Sequence, residues 1–301
     1  MEKEPKKATL YTLTLTPQQM EKLRNALESR LWIDKVVEHA AFAYEGNKVQ
    51  VVAYKSGKLV VQGKMTEDFV QNILEPEVTG EAKLGYDEIH NPEWFELHAG
   101  CDEAGKGDIF GPLVTACVIA GPDAIRELRK SGVKDSKRIN DREILKLEKV
   151  IRDTPGVVVT TAACSMEKYN ELMGKPGANL NKLLAWLHSR SLGDALDKKS
   201  APWGLLDQFA TRDKVDEYLA RPDFELRRRT KAESDPVVAA ASIVARAGFL
   251  KGMQNLSHEA GMKLMKGASK EAQSQFKTLK EKVGEAGMKK FAKLHFKLKA
   301  V

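Results

Sequence analysis

The sequence is poor in the residues on which several common chemistries depend. Cysteine occurs three times in 301 residues, as Cys101, Cys117 and Cys164, with no C-x-x-C spacing. A disulfide framework, a thiolate zinc site and a dithiol redox motif are therefore not expected, and the three thiols read as free and buried. The six histidines form no cluster with cysteine, which again argues against zinc. No G-x-x-x-x-G-K-[ST] run is present, so the glycines around Lys106 do not make a nucleotide-phosphate loop. Long apolar runs are missing too. Leu113–Ala120, among the longest, has the length of a strand and falls far short of the roughly 20 residues of a membrane span. The N-terminus, Met-Glu-Lys-Glu-Pro-Lys-Lys, has mixed charge and no apolar region behind it, unlike a signal peptide. These absences predict a cytoplasmic protein with no membrane partner.

What is present is ordinary in composition, with 42% hydrophobic and 30% charged residues, and the length suggests about two domains. The net charge of +7 is uneven: residues 1–80 are neutral, 81–100 carry −4 and 251–301 carry +8. A basic C-terminal segment is the footprint expected of phosphate contacts, although a solvated lysine-rich helix face has the same composition.

Residues 8–15 alternate apolar side chains with threonine or tyrosine, the period of a half-buried strand. Thr16 and Pro17 then open a helix over 18–30, as cap and first helical residue. Strand-like runs follow at 37–44, 49–54 and 58–62, joined by hairpin connections, and Thr66 is expected to cap a second helix over 67–74. Residues 75–96 lack periodicity and read as a linker. From Leu97 onward, apolar strands at 97–102, 113–119, 157–163 and 204–207 alternate with helices at 139–152, 167–172, 180–196, 212–219, 236–250 and within 269–293. That alternation predicts an α/β domain whose sheet is covered by helices.

Asp-Glu pairs occur at 87, 102 and 216, so the dipeptide alone is uninformative. Asp102-Glu103 is set apart because it ends an apolar strand and enters Ala104-Gly105-Lys106-Gly107-Asp108, where two glycines allow close backbone approach to a ligand. Asp207 ends another short apolar run, as a site residue or as a helix cap. In Lys231-Ala-Glu-Ser-Asp-Pro236, Asp235 fits a helix cap before a first-turn proline, whereas Glu233 has no such role. Asp102, Glu103, Asp207 and Glu233 are the all-oxygen donor set that two hard divalent cations need for phosphodiester hydrolysis. On a regular strand Asp102 and Glu103 point to opposite faces, so their joint use calls for a break in the pleat.

The run Cys101-Asp-Glu-Ala-Gly-Lys-Gly-Asp-Ile-Phe-Gly-Pro-Leu-Val114 resembles the signature of type 2 ribonucleases H, and its Gly-Lys-Gly with Asp108 and Phe110-Gly-Pro112 is similar to ribonuclease HIII rather than ribonuclease HII. Asp135-Ser-Lys137, Asn179-Leu-Asn-Lys-Leu-Leu184 with His188, Leu206-Asp-Gln-Phe209, Thr230-Lys-Ala-Glu-Ser234, Ala239–Arg246 and Ala292-Lys-Leu-His-Phe296 extend the likeness over residues 98–301. The resemblance implies a ribonuclease-H-like catalytic domain at 97–301 with a mixed sheet flanked by helices. It also implies a small α+β TATA-binding-protein-like substrate-binding domain at 1–80, which leaves 81–96 of the aperiodic stretch as the linker. It places the catalytic, metal-holding carboxylates at Asp102, Glu103, Asp207 and Glu233, with Glu233 rather than Asp235 in the last position, and Mg2+ or Mn2+ as the cofactor in a two-metal site. Gly105, Lys106, Gly107, Ser136 and Lys137 become the expected substrate contacts, and His188 a structural residue. The implied partner is an RNA/DNA hybrid, cut in its RNA strand by a monomer. Incision at single ribonucleotides in duplex DNA and noncatalytic hybrid binding are the alternatives.

Overall fold

The computed structural model describes residues 10–80, 91–133, 136 and 139–296, and the chain falls into two compact units, Met1–Glu93 and Trp94–Val301. Positions 81–90 of the expected linker, and Lys134, Asp135 and Lys137, lie outside the described residues.

The first unit runs β1 (Leu10–Thr14), α1 (Pro17–Glu28), β2 (Ile33–Asp34), β3 (Ala40–Gly46), β4 (Val49–Tyr54), β5 (Lys58–Gly63) and α2 (Thr66–Phe69). Its sheet is antiparallel throughout, in the order β1-β5-β4-β3-β2. Thr16 and Gln19 form a reciprocal capping box at the start of α1, with Pro17 behind the cap. Leu23 and Leu27 then bury one helix face in the core with Val51, Leu59 and Val61. Two expectations are corrected. Thr66 is the first residue of α2 rather than its cap, and its hydroxyl donates to the Gly63 carbonyl. The helix also continues as π-type turns over Val70–Thr79, where a linker was expected from residue 75. Val70, Leu74 and Val78, spaced four apart, are all buried, and their burial carries the helix past Pro76.

The second unit contains β6 (His98–Ala104), β7 (Leu113–Ala120), α3 (Pro122–Lys130), α4 (Asp141–Asp153), β8 (Val158–Cys164), α5 (Met166–Met173), α6 (Leu180–Lys198), β9 (Trp203–Asp207), α7 (Val215–Leu219), β10 (Glu225–Arg229), α8 (Pro236–Ala260) and α9 (Lys270–Met288). The sheet order is β10-β9-β6-β7-β8. β7 runs antiparallel to both neighbours, while β9 is parallel to β6 and β10 to β9. The carboxyl ends of β6 and β9 therefore reach the same edge of the sheet, carrying Asp102-Glu103 and Asp207 with them. β10 was not expected, because its Glu-Leu-Arg-Arg-Arg run hides the strand period under charge. α3 was missed as well.

All eight residues of β7 are buried, the mark of a strand covered on both faces. Ala116, Val118 and Ala120 pack with α3, α4 and α8. Cys117 and Ile119 pack with Ala99 and Cys101 of β6 against Ala185, Leu192 and Ala195 of α6. α8 passes a length and mean-hydropathy test for crossing a membrane although Arg246 and Lys251 interrupt its apolar run, and 72% of its apolar window is buried inside the protein. It is a core helix. Its first turn lies directly on β6: a Cβ at Gly100 would stand 2.4 Å from the Val237 carbonyl carbon and the Val238 nitrogen. Only glycine permits that approach. Gly100→Ala is expected to push α8 off the sheet and cost about 1–3 kcal/mol, read as a lower denaturant midpoint. An unchanged midpoint would show that the helix start yields freely.

Candidate active site

β6 stays regular to its end, with Asp102 opposite Ala116, Glu103 opposite Thr115 and Ala104 opposite Val114. The break in the pleat expected between Asp102 and Glu103 is absent. The two side chains leave the strand on opposite faces, Asp102 toward Ser242 of α8 and Glu103 toward His188 of α6. Both nevertheless border one cleft of about 480 Å³, because the strand ends there. Asp207, Gly105, Asp108, Ser136, Ser242, Arg246 and Lys266 line the same cleft.

Asp102 is buried, and its Oδ1 accepts the Glu103 N–H at 2.7 Å. Burial first, then the negative charge of Glu103, with a further contribution from Asp207, pushes its carboxyl up to about 7 against the opposing hydrogen bond with Ser242. Glu103 is held from behind by His188, whose Nε2 lies 3.2 Å from Oε2, while the Lys106 ammonium stands 3.8 Å from Oε1. Burial acts to lower the His188 pKa, but its hydrogen bonds with Cys101 and Glu103 outweigh this and raise it to about 9. His188 thus stands directly behind a site carboxylate, a more specific part than the structural role expected for it. The Asp207 Oδ1 accepts the Ala232 N–H at 2.9 Å, which ties the end of β9 to the 3-10 turn Ala232–Ser234 carrying Glu233. Glu233 is half-buried in that turn and does not line the cleft.

Among the expected substrate contacts, Gly105 has φ of 89° and packs so closely that a Cβ would meet the Pro112 carbonyl oxygen at 2.1 Å. Around Gly107 the space is open. Lys106 turns inward, donating to the Phe209 carbonyl at 2.9 Å with its ammonium 5.4 Å from the Phe209 ring centre. Ser136 is buried and shares a hydrogen bond of 2.8 Å with Ser242. Arg246 and Lys266 were not singled out beforehand. Arg246 bonds to the Ser136 carbonyl and to Asp141, and Lys266 to Asp141, and no sequence spacing links those residues. Several lysines of the basic C-terminal segment have partners within the protein. Lys290 pairs with Glu259, Lys280 with Glu285, and Lys282 donates to the Ala260 carbonyl. Lys293 is fully buried, its ammonium 2.8 Å from the Asp108 carbonyl and 2.7 Å from that of Gly111. Burial lowers its pKa to about 8.

The cleft offers carboxylate oxygen and no sulfur, the donor chemistry of a hard divalent cation. Among the described residues no three His, Cys, Asp or Glu side chains close on a common point. Asp102 accepts a backbone N–H, Glu103 meets His188 and Asp207 accepts the Ala232 N–H. The raised Asp102 pKa marks a place where positive charge would be stabilising, so the residues fit such an ion.

Residues 99–299 match the Ribonuclease HII family, and residues 11–83 match a domain of unknown function, DUF3378. The sequence is 38% identical to ribonuclease HIII of Chlamydia muridarum over 295 residues, covering 96% of this chain and 95% of that one. It is 36% identical to ribonuclease HIII of Chlamydia caviae over 302 residues, covering 96% of each. The chain belongs to the ribonuclease HIII family. The crystal structure of Bst-RNase HIII in complex with Mn2+ superimposes with a TM-score of 0.65 at 29% identity, covering 96% of both chains. Aquifex aeolicus RNase H3 gives 0.57 at 28%, over 95% of this chain and 100% of that one. The fold is accordingly the α/β ribonuclease-H-like one, with a mixed sheet flanked by helices.

The electrostatics make a signed prediction. Because the folded Asp102 pKa lies above its ordinary 3.8, the metal-free protein loses stability as the pH rises from there through about 7. Asp102→Asn removes that penalty. In EDTA at pH 8 the variant is expected to be more stable than the parent by roughly 2–4 kcal/mol, and the gain to vanish near pH 4. Urea unfolding at both pH values measures this, and a variant less stable at pH 8 contradicts the account.

Proposed function

We propose that this chain is an endoribonuclease that cuts the RNA strand of RNA/DNA hybrids, leaving 3′-hydroxyl and 5′-phosphate ends. The observation that carries the reading is the meeting of Asp102, Glu103 and Asp207 on one cleft beside the Gly105–Gly107 turn, in a chain of the ribonuclease HIII family. Asp102, Glu103, Asp207 and Glu233 are assigned as the ligands of two divalent cations, Mg2+ or Mn2+. When bound, such ions supply an activated water and stabilise the charge on the departing 3′ oxygen.

The chain's own residues do the positioning. Ser242 orients Asp102 from α8, and His188 with Lys106 orients Glu103 from the opposite side. The Gly105–Gly107 backbone, uncrowded at Gly107, is suited to approach a ribose closely and to recognise the 2′-hydroxyl, which separates RNA from DNA. Ser136 and Lys137 are assigned as further substrate contacts. Residues 1–80 are assigned a TATA-binding-protein-like role in holding the hybrid, supported by the order of one strand, one helix, four strands and one helix.

Asp102→Asn and Glu233→Gln are each expected to lower metal-dependent cleavage by about three orders of magnitude or more while leaving hybrid binding nearly intact. Gel-based cleavage and binding assays separate the two effects, and full activity in either variant removes that residue from the site. Full hybrids are expected to be cut faster than duplex DNA carrying one ribonucleotide in both Mg2+ and Mn2+. The reverse preference would favour incision of the ribonuclease HII type.

A further inference from the structure

The fully buried pair His98 and Asp235 is not used in the chemistry above. His98 opens β6, four residues before Asp102, and Asp235 caps α8, two residues after Glu233. Both side chains are inaccessible to solvent. The His98 Nε2 lies 3.1 Å from each carboxylate oxygen of Asp235, and its Nδ1 lies 2.8 Å from the Glu96 carbonyl oxygen, so the ring is held at both ends. One ring face is stacked on Trp203, with centres 4.4 Å apart and planes within 4°. Trp203 opens β9, the strand that ends on Asp207. One buried cluster thus joins the bases of both carboxylate-bearing strands to the start of α8.

Helix capping alone does not explain the pair. The Asp235 Oδ1 caps both Val237 and Val238 N–H groups, a task that serine or asparagine performs without a charge to bury. Sinking a carboxylate and an imidazole together costs desolvation, and the pair holds only if each keeps its partner. What it gains is the placement of a turn. The Asp235 N–H donates to the Ala232 carbonyl at 2.9 Å, and the Ala232 N–H donates to Asp207. Glu233 therefore sits in a short turn fixed at one end by Asp207 and at the other by Asp235, with His98 behind it.

We infer that His98 and Asp235 are positioning residues for Glu233, fixing the turn that carries it beside the Asp207 end of β9. The inference rests on the assignment of Glu233 as a metal ligand. Partners behind metal ligands are typically worth about 10- to 100-fold in metal affinity, which sets the expected effect.

The test is Mn2+ binding to the full-length chain without substrate, by titration calorimetry, alongside thermal unfolding and the KM for hybrid. His98→Phe keeps a ring against Trp203 but cannot bond to Asp235. It is expected to weaken Mn2+ binding about 10- to 100-fold, with KM unchanged. His98→Gln, whose amide can donate to Asp235, is expected to recover most of the loss. In a Glu233→Gln background, His98→Phe is expected to add nothing further. A fall in melting temperature with unchanged Mn2+ affinity, or an equal loss in the Glu233→Gln background, overturns the inference. Should His98→Phe not fold, Asp235→Asn retains the cap and is expected to weaken Mn2+ binding, and unchanged affinity there is equally decisive. If Glu233→Gln alone leaves Mn2+ affinity unaltered, the ligand assignment fails first. If Glu233→Gln weakens it and His98→Phe does not, only the positioning role fails.

Discussion

Crowding of carboxylates at one edge of a buried sheet is the constraint around which the second unit is organised. Parallel pairing of β6 with β9 brings Asp102 and Asp207 to the same edge, and Glu103 follows Asp102 without any irregularity of the strand. Burial of the carboxyl, added to by the negative charge of Glu103 and of Asp207, holds the Asp102 pKa near 7. Asp102 accepts the next N–H of its own strand and meets Ser242 of α8, Glu103 meets His188 of α6, and Asp207 accepts the Ala232 N–H.

Those supports depend on helices packed on both faces of the sheet. α8 reaches Asp102 because Gly100 lets its first turn lie on the β6 backbone, and small residues Ala239, Ala240 and Ala241 keep the helix close. On the other face α6 carries His188 to Glu103, with the His188 ring stacked on Phe209 at 5.2 Å. Opposite side-chain directions along β6 thereby become useful, since each face provides a different partner. One carboxylate is held by a hydroxyl and the other by an imidazole.

The lysines near the C-terminus connect this site to the remainder of the unit. Lys293 is buried on the carbonyls of Asp108 and Gly111, Lys266 meets Asp141 at the cleft, and the Gly267 N–H donates to the Asp108 carboxylate at 2.5 Å. The turn beginning at Gly105 is accordingly braced by chain far away in sequence. Part of the positive charge of the C-terminal segment is thus used in internal bracing.

Local pattern was enough to place most of the strands, the start of α1, the cap at Asp235 and the Asp102-Glu103 pair beside its glycine turn, because each is written in a few adjacent residues. The motif run from Cys101 to Val114 carried the family as well, as the 38% identity to ribonuclease HIII of Chlamydia muridarum bears out. Patterns failed where distant burial or charge decided the outcome. The helix continues past Pro76 because Val70, Leu74 and Val78 are buried, and β10 is a strand although three arginines mask its period. No spacing in the sequence shows that His188 lies behind Glu103, that Lys293 is buried, or that His98 meets Asp235 across 137 positions. Side-chain periodicity and turn chemistry are properties of neighbours along the chain and can be read there. The partners of a buried charge are set by how strands and helices stack, and only the tertiary structure determines which carboxylate receives which donor.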